Sequence, residues 1–477
     1  MSRNSDLPGR VAILGFARSG EALAKALAGR EVAVTVGEAK PRSAFDAETV
    51  ARLERKGVRF DFDGPKMEFL DGAQWLAISP GVPMDSPVVV EARRKGLAVL
   101  AEIEIAWRIA QAEVEGKNRW VAVTGTNGKS TTTAWIAEIL RRAGRPVALA
   151  GNIGVPLSAF LSERSARDFV CEVSSFQLEA IDRFHPHVAV LINITPDHLD
   201  RHDGFADYVR AKARVFENQD AGDFAVVNDD DTASRPISTR SRRVAFSRKH
   251  RCEGGAWIDS GSLVSEVSGR KRSIVAQKDL ALPGAHNVEN ALAALAAAAC
   301  LDTPEAAIAD ALSRFQGLPH RTELVAERDG VSWVDDSKGT NVDATKKSLE
   351  GFEEGRVLLI LGGRDKHGDF AALGPSVARA ARKVFTIGEA ARAIEKVLSS
   401  LVEIENAGTM DRAVRRASEV AQPGDTVLLS PACASFDQYR NFEERGEHFA
   451  RLVHEVQSPK SKVQSPSTVK GPKERHG

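Results

Sequence analysis

Cysteine is scarce in this chain. The four present, Cys171, Cys252, Cys300 and Cys433, lie far apart. No close pair offers a disulfide framework or a metal knuckle, and a reducing, cytoplasmic setting is expected. Net charge is absent as well: 65 Lys and Arg balance 65 Asp and Glu over 477 residues. No basic excess points to a nucleic-acid partner, and no acidic block points to a solvating tail. Long apolar runs are missing too. The most apolar stretch, residues 291–301, is alanine-rich and too short to span a bilayer, so it reads as a buried helix and no transmembrane segment is expected. Residues 1–10 are polar and lack the apolar core of a signal peptide. What remains, 43% hydrophobic and 27% charged residues, describes an ordinary globular protein. The length suggests about three domains.

The densest signal is Val123-Thr-Gly-Thr-Asn-Gly-Lys-Ser-Thr131. An apolar stretch, residues 120–123, precedes it, and an amphipathic one, residues 134–142, follows. That order predicts strand, glycine loop and helix. Backbone N–H groups and the positive end of a helix dipole would then face a phosphate chain. Lys129 reaches the β- and γ-phosphates, and the hydroxyl of Ser130 or Thr131 can hold Mg²⁺. The usual pattern sets a Gly five residues before the Gly-Lys pair. Val123 stands there, so the loop is a short form turned by Gly125 and Gly128. The bland alternative is a strand-to-helix turn with a surface lysine.

Around this loop the chain divides into blocks. In the first, residues 11–14 read as a strand, Gly15-Phe-Ala-Arg-Ser-Gly20 as a turn, and residues 21–28 as a helix; a second strand, residues 32–36, ends at Glu38. This opening is Rossmann-like. Ala17 replaces the glycine that lets a pyrophosphate approach closely, so a nucleotide-like ligand on Arg18 and Ser19 is favoured over a redox dinucleotide. Residues 78–82 form a strand end and a Pro-Gly turn at the mouth of the same sheet, either a ligand loop or simply a turn. The second block alternates strands (147–149, 169–173, 188–192) with helices. Glu172 lies near one strand end, and Asp197 and His198 follow another, which suits Mg²⁺ across strand C-termini. Residues 225–282 hold short β-like pieces, expected as a sub-sheet flanking the nucleotide. In the third block, four strands (332–334, 357–361, 383–387, 426–429) suggest a second nucleotide-fold-like unit. The stretch from residue 456 is rich in Ser, Pro and Lys and is expected to be a disordered tail.

Some residues stay ambiguous on composition alone. Asn287 can hydrogen-bond an adenine edge or cap the alanine-rich helix. Asp335-Asp-Ser-Lys-Gly-Thr-Asn341 reads as a binding segment or as a helix cap with a solvated turn. His185 and His187 lie at a strand's N-terminal end, away from the phosphate side, and read as structural. His198, at the opposite end, reads as a ligand.

Taken in order, Gly125-Thr-Asn-Gly-Lys-Ser-Thr131, Gly151-Asn-Ile-Gly-Val-Pro156, Glu172-Val-Ser-Ser-Phe-Gln-Leu178 and Asn193-Ile-Thr-Pro-Asp-His-Leu-Asp200 resemble the Mur ligases, which build the peptide of bacterial cell wall. Gly317-Leu-Pro-His-Arg321, Asp336-Ser-Lys-Gly-Thr-Asn341, Gly362-Gly-Arg-Asp-Lys366, the run from Leu429 to Gln438 and Asn441-Phe-Glu-Glu-Arg-Gly446 are similar to the branch of that family that adds D-glutamate. Everything but the tail is covered.

The resemblance implies an α/β chain of three domains. These are a Rossmann-like UDP-substrate domain (1–108), a P-loop ATPase-like domain (109–318) and a Rossmann-like amino-acid domain (319–456), with the tail at 457–477. It implies ATP, two Mg²⁺ ions and two further substrates, UDP-N-acetylmuramoyl-L-alanine and D-glutamate, acted on by a cytoplasmic monomer. ATP would meet Gly125, Thr126, Asn127, Gly128, Lys129, Ser130, Thr131, Asn287, Arg321 and Asp336. The UDP substrate would meet Arg18, Ser19, Glu38, Gly81, Asn152 and His198. D-Glutamate would meet Lys338, Thr340, Lys366, Ser435, Phe436 and Phe442. Metal ligands would be Ser130, Glu172, His198 and Lys212, the last as a carbamate; Lys129, Lys212 and His198 would be catalytic. Without the resemblance, Lys212 reads as a solvated helix lysine. Because the ligands come from separate domains, closure is expected before chemistry. A polyglutamate ligase, a sister ligase of the same family and a nucleotide-gated scaffold are the rivals. The first should lack the N-terminal block, the second should differ around residues 430–446, and the third leaves Glu172, His198 and Lys366 without roles.

Overall fold

The computed structural model describes residues 7–30, 32–113, 118–162, 165–199, 201–282, 284–365 and 368–455. The expected tail and Lys366 lie outside them. The chain is α/β and carries three sheets.

Five short, apolar strands build the first sheet: β1 (Arg10–Leu14), β2 (Ala33–Gly37), β3 (Arg59–Asp61), β4 (Trp75–Ile78) and β5 (Ala98–Ala101). All neighbours run parallel, in the order β3-β2-β1-β4-β5. Strand order reverses between β1 and β4, so a crevice opens at their C-terminal ends. Helix Arg18–Leu27 starts at that crevice. Gly20 has no alternative there, because a Cβ would sit 2.0 Å from Gly15 O.

The second sheet holds β6 (Arg119–Thr124), β7 (Val147–Gly151), β8 (Asp168–Glu172), β9 (Val188–Leu191), β10 (Phe224–Asn228), β11 (Arg242–Ser247), β12 (Ala256–Asp259), β13 (Ser262–Ser265) and β14 (Arg272–Ala276). Its order is β14-β13-β12-β11-β10-β9-β6-β8-β7. The pieces expected as a sub-sheet flanking the nucleotide extend this one. β10 and β11 continue it in parallel, and β12–β14 close its edge, with antiparallel pairing from β12 onward. Parallel strands buried on both faces read as apolar runs. β6, β8, β9 and β10 fit that pattern. The alanine-rich stretch is helix Ala285–Cys300, and residues 291–298 are completely buried.

A third sheet comprises β15 (Glu323–Arg328), β16 (Val331–Asp335), β17 (Val357–Gly362), β18 (Ala381–Ile387), β19 (Glu403–Gly408) and β20 (Thr426–Leu429), in the order β15-β16-β20-β17-β18-β19. It has two strands more than the sequence predicts, one at each edge: β15, antiparallel to β16, and the polar β19. By compactness the chain forms two units. One extends to Leu318 and holds the first two sheets; the other begins at Pro319 and holds the third. All four cysteines are buried and unpaired with one another. Among the described residues, no helix is long and apolar enough to cross a membrane.

Candidate active site

β6 delivers the chain into the glycine loop, and helix Lys129–Arg142 leaves it. Gly125 and Gly128 have φ of +154° and +81°, and a Cβ on Gly128 would fall 2.1 Å from Asn290 Oδ1. The loop is therefore shaped for glycine at Gly128 by both conformation and space. Lys129 Nζ folds back to donate to Gly125 O (3.0 Å) and Thr126 O (2.8 Å). Asn193 braces the loop from the end of β9: its backbone carbonyl accepts from Thr126 N (2.9 Å), its Oδ1 from Asn127 N (2.9 Å), and its Nδ2 donates to Asn127 O (3.2 Å).

Beneath the loop, Glu172 closes β8 and is buried. Ser130 Oγ donates to its Oε2, and Asn152 Nδ2 donates to its Oε1 at 2.7 Å. Lys212, in helix Phe205–Ala213, is 1% exposed and donates to Gly125 O at 2.7 Å. It is thus a buried residue of the loop cluster, unlike the solvated lysine its composition suggests. Its ammonium lies 4.6 Å above the Tyr208 ring. Burial holds the Lys212 amine well below its ordinary pKa, and the Lys129 charge adds to this; Asp197 and Glu172 oppose it. Tyr208 Oη contacts Thr126 Oγ1 at 3.2 Å. His198 follows β9 with φ of +55° and stands edge-on to Phe176, centroids 5.1 Å apart. His185 pairs with Asp223, and His187 Nδ1 accepts from Trp120 N (3.2 Å). Asn287 is buried in the first turn of its helix, whose N-cap is Gly284. Its Oδ1 accepts from Asn290 Nδ2 (3.2 Å), so the cap alternative is not realised.

At the first sheet's crevice, Arg18 is exposed at the helix start and Ser19 is half-buried beside it. Glu38 is turned inward: its carboxylate accepts from Phe16 N (2.6 Å) and Lys40 N (2.9 Å) and so shapes the loop after β1. Gly81 lies exposed in the turn after β4.

In the second unit, residues 335–337 are buried, against the solvated-turn reading. Only Asn341 acts as a cap, its Oδ1 accepting from Ala344 N at 2.8 Å. Asp336 Oδ2 accepts from Ser430 Oγ (2.7 Å), and burial pushes its carboxyl up to about 7. Lys338 Nζ sits 3.8 Å from the Phe442 ring centroid, and Thr340 N donates to Lys338 O (2.7 Å). Arg321 adjoins His320, close enough to pull the Asp336 carboxyl down against its burial. Ser435 is buried, whereas Phe436 is 61% exposed. The sequence gives no role to Arg445, which is 1% exposed and donates to Ser337 O (2.8 Å) and Cys433 O (3.2 Å). Asn193, Asn290 and Tyr208 were likewise missed as loop braces. Asn193 and Arg445 stand inside the runs 193–200 and 441–446 that carry the family resemblance, which was the available signal.

Phosphate loop, carboxylate-ended neighbouring strand and buried lysine together define a P-loop α/β protein with a Rossmann-like sheet ahead of it. Residues 123–298 match the Mur ligase middle domain, and residues 320–433 match the Mur ligase, glutamate ligase domain. The UDP-N-acetylmuramoylalanine--D-glutamate ligase of Acidobacterium capsulatum is 42% identical, covering 93% of this chain and 96% of that protein. The same-named protein of Desulfatibacillum aliphaticivorans is 41% identical, covering 94% and 99%. Among solved structures, UDP-N-acetylmuramate-alanine ligase from Thermotoga maritima aligns at TM-score 0.60 and 19% identity over 94% of this chain and 99% of that one. The MurF ligase from the same organism, in complex with ADP, aligns at 0.60 and 16% over 88% and 95%. This chain belongs to the Mur ligase family.

Proposed function

We propose that this chain is an ATP-dependent ligase that joins D-glutamate to UDP-N-acetylmuramoyl-L-alanine, releasing ADP and phosphate. The carrying observation is the cluster of half-buried Lys129 with buried Ser130, Glu172 and Lys212 around one glycine loop, in a chain 41–42% identical to ligases named for that reaction.

The reaction brings two anions together, a substrate carboxylate and a triphosphate. The carboxylate attacks the γ-phosphorus and forms an acyl phosphate, with ADP leaving. The unprotonated D-glutamate amine then attacks the acyl carbon, phosphate leaves with the C–O bond electrons, and the nitrogen releases a proton to solvent to give the amide. Lys129 and the loop N–H groups hold the phosphates and take up charge on the γ-oxygens. Ser130 and Glu172 are hard oxygen donors and suit Mg²⁺. When bound, Mg²⁺ screens the phosphate charge. Arg321, Asp336 and Asn287 are the remaining nucleotide contacts in this reading. Arg18, Ser19, Glu38, Gly81 and Asn152 serve the UDP substrate, and Glu38 acts there by shaping its loop. Lys338, Thr340, Lys366, Ser435, Phe436 and Phe442 serve D-glutamate, a dicarboxylate that asks for several cationic and hydroxyl donors.

Lys212 is proposed to react with CO₂ to form a carbamate that joins His198 at a second Mg²⁺. A buried amine whose pKa is pushed down gives up its proton more readily, as the nucleophile in such a reaction must. Lys212→Ala should lose activity and regain part of it with added short-chain carboxylic acids. A fully active variant, or one that no acid rescues, removes the carbamate. For the ligase itself, ADP release should require the UDP substrate and D-glutamate together. Release independent of either, or equal turnover with L-glutamate, overturns the reading.

A further inference from the structure

A run of contacts joins the turn after β4 to His198, and no role assigned above uses it. The turn is tied to the loop after β1: Ser79 N donates to Leu14 O (3.1 Å) and Ser79 Oγ to Gly15 O (3.4 Å). Val82 N closes the turn on Ser79 O (2.9 Å). Val82 O then accepts from Arg201 Nη2 at 2.9 Å. The Arg201 guanidinium lies 5.3 Å from the Phe176 ring centroid and pairs with Glu179 at 3.5 Å. Phe176 meets the edge of His198 at 5.1 Å and stacks on His202 at 5.5 Å and 17°. His202 is anchored below, its Nε2 3.0 Å from Ser175 Oγ. The backbone N–H groups of Arg201 and His202 both donate to His198 O (3.0 and 3.1 Å).

His198 itself has φ of +55°. A non-glycine residue holds that conformation only when its surroundings impose it. We propose that Arg201 is a positioning residue that sets the His198 imidazole against the turn at Gly81 and Val82, where the UDP-linked substrate is placed. A guanidinium suits the task because it donates in its plane while laying its face on a ring. The proposal rests on the ligase reading for its kinetic consequence, though not for its geometry.

Arg201→Met keeps the stem and removes the guanidinium. KM for UDP-N-acetylmuramoyl-L-alanine should rise about tenfold and kcat fall about tenfold, while KM for ATP stays within about twofold. Arg201→Lys should recover part of both losses, and it serves as the test variant if the methionine form does not fold. Adding Phe176→Leu to Arg201→Met should lower kcat no further than Arg201→Met alone, because both act along one path. An unchanged KM for the UDP substrate, or equal losses for all substrates, overturns the proposal. A second readout needs no turnover. In protein labelled with ¹⁵N-histidine and free of ligands, Arg201→Met should shift the His198 ring resonances and leave those of His185 in place. An unmoved His198 overturns the positioning role even in an active ligase. Should the parent protein show no ligase activity, the function reading falls, and the resonance still decides the positioning.

Discussion

Alanine for glycine in a helix interior ordinarily gains roughly 0.5–1 kcal/mol. Gly446, inside helix Phe442–Glu455, should behave in the opposite way. A Cβ there would fall 2.2 Å from His320 Nδ1 and 2.6 Å from Asp335 Oδ2, two atoms already paired at 2.7 Å. Gly446→Ala should therefore cost about 2 kcal/mol or more, measured by urea unfolding. Asp336 gives a pH signature. An acid whose carboxyl is raised on folding binds its proton more tightly in the folded state. Stability is then lost as pH climbs from the unfolded value near 4 (about 3.9) through the folded one. With Asp336 pushed up to about 7, the loss is complete above that pH. Its size is ~4 kcal/mol. Asp336→Asn should remove this slope, so denaturation at pH 5 and pH 8 should show the variant gaining on the parent as pH rises. The residues legible in the sequence were those whose chemistry is local. Lys129, Ser130 and Glu172 announce themselves by spacing. Asn193 and Arg445 could be placed only through partners far along the chain; Lys212 was marked by the family resemblance alone, because composition does not reveal its burial.

Elements were legible where both faces are buried. β6, β9 and β17 are continuous apolar runs, and the alanine-rich helix needs no partner to be recognised. β15 and β19 escaped because edge strands keep polar side chains, Glu323 and Glu403 among them. β12–β14 fall in the stretch legible only as short β pieces, and their register on β11 was not legible, since pairing across a sheet leaves no local trace. Junctions are harder still. In helix Glu102–Glu113, Glu104 is fully buried and accepts from the backbone N–H groups of Asp182 (3.0 Å), Arg183 (3.0 Å) and Phe184 (2.7 Å), while Arg108 pairs with it at 2.6 Å. The carboxylate thus fastens the helix to the segment ahead of β9. Glu104→Ala would take the acceptor from three N–H groups, that of Phe184 buried, and leave Arg108 with Asp182, and should lower stability by ~3–5 kcal/mol, with hydrogen exchange faster at those three amides.

At the scale of the whole molecule, the unit beginning at Pro319 has its own six-stranded sheet and apolar clusters on both faces of it, around Leu359 and Val384 on one side and Phe385 and Phe449 on the other. A fragment starting there should fold alone, with a cooperative thermal transition and dispersed amide resonances. The scarce cysteines acquire a use from their placement. Cys171, Cys252 and Cys300 lie in the first unit and Cys433 in the second, all buried. Burial pushes the thiols of Cys252 and Cys300 up to about 12, and that of Cys171 higher still. Since thiolates rather than thiols are alkylated, the native chain should resist iodoacetamide at neutral pH. Each adduct then records a moment when its surroundings came apart. The chain carries four built-in clocks, and peptide-resolved alkylation would time the breathing of each unit without any label being introduced.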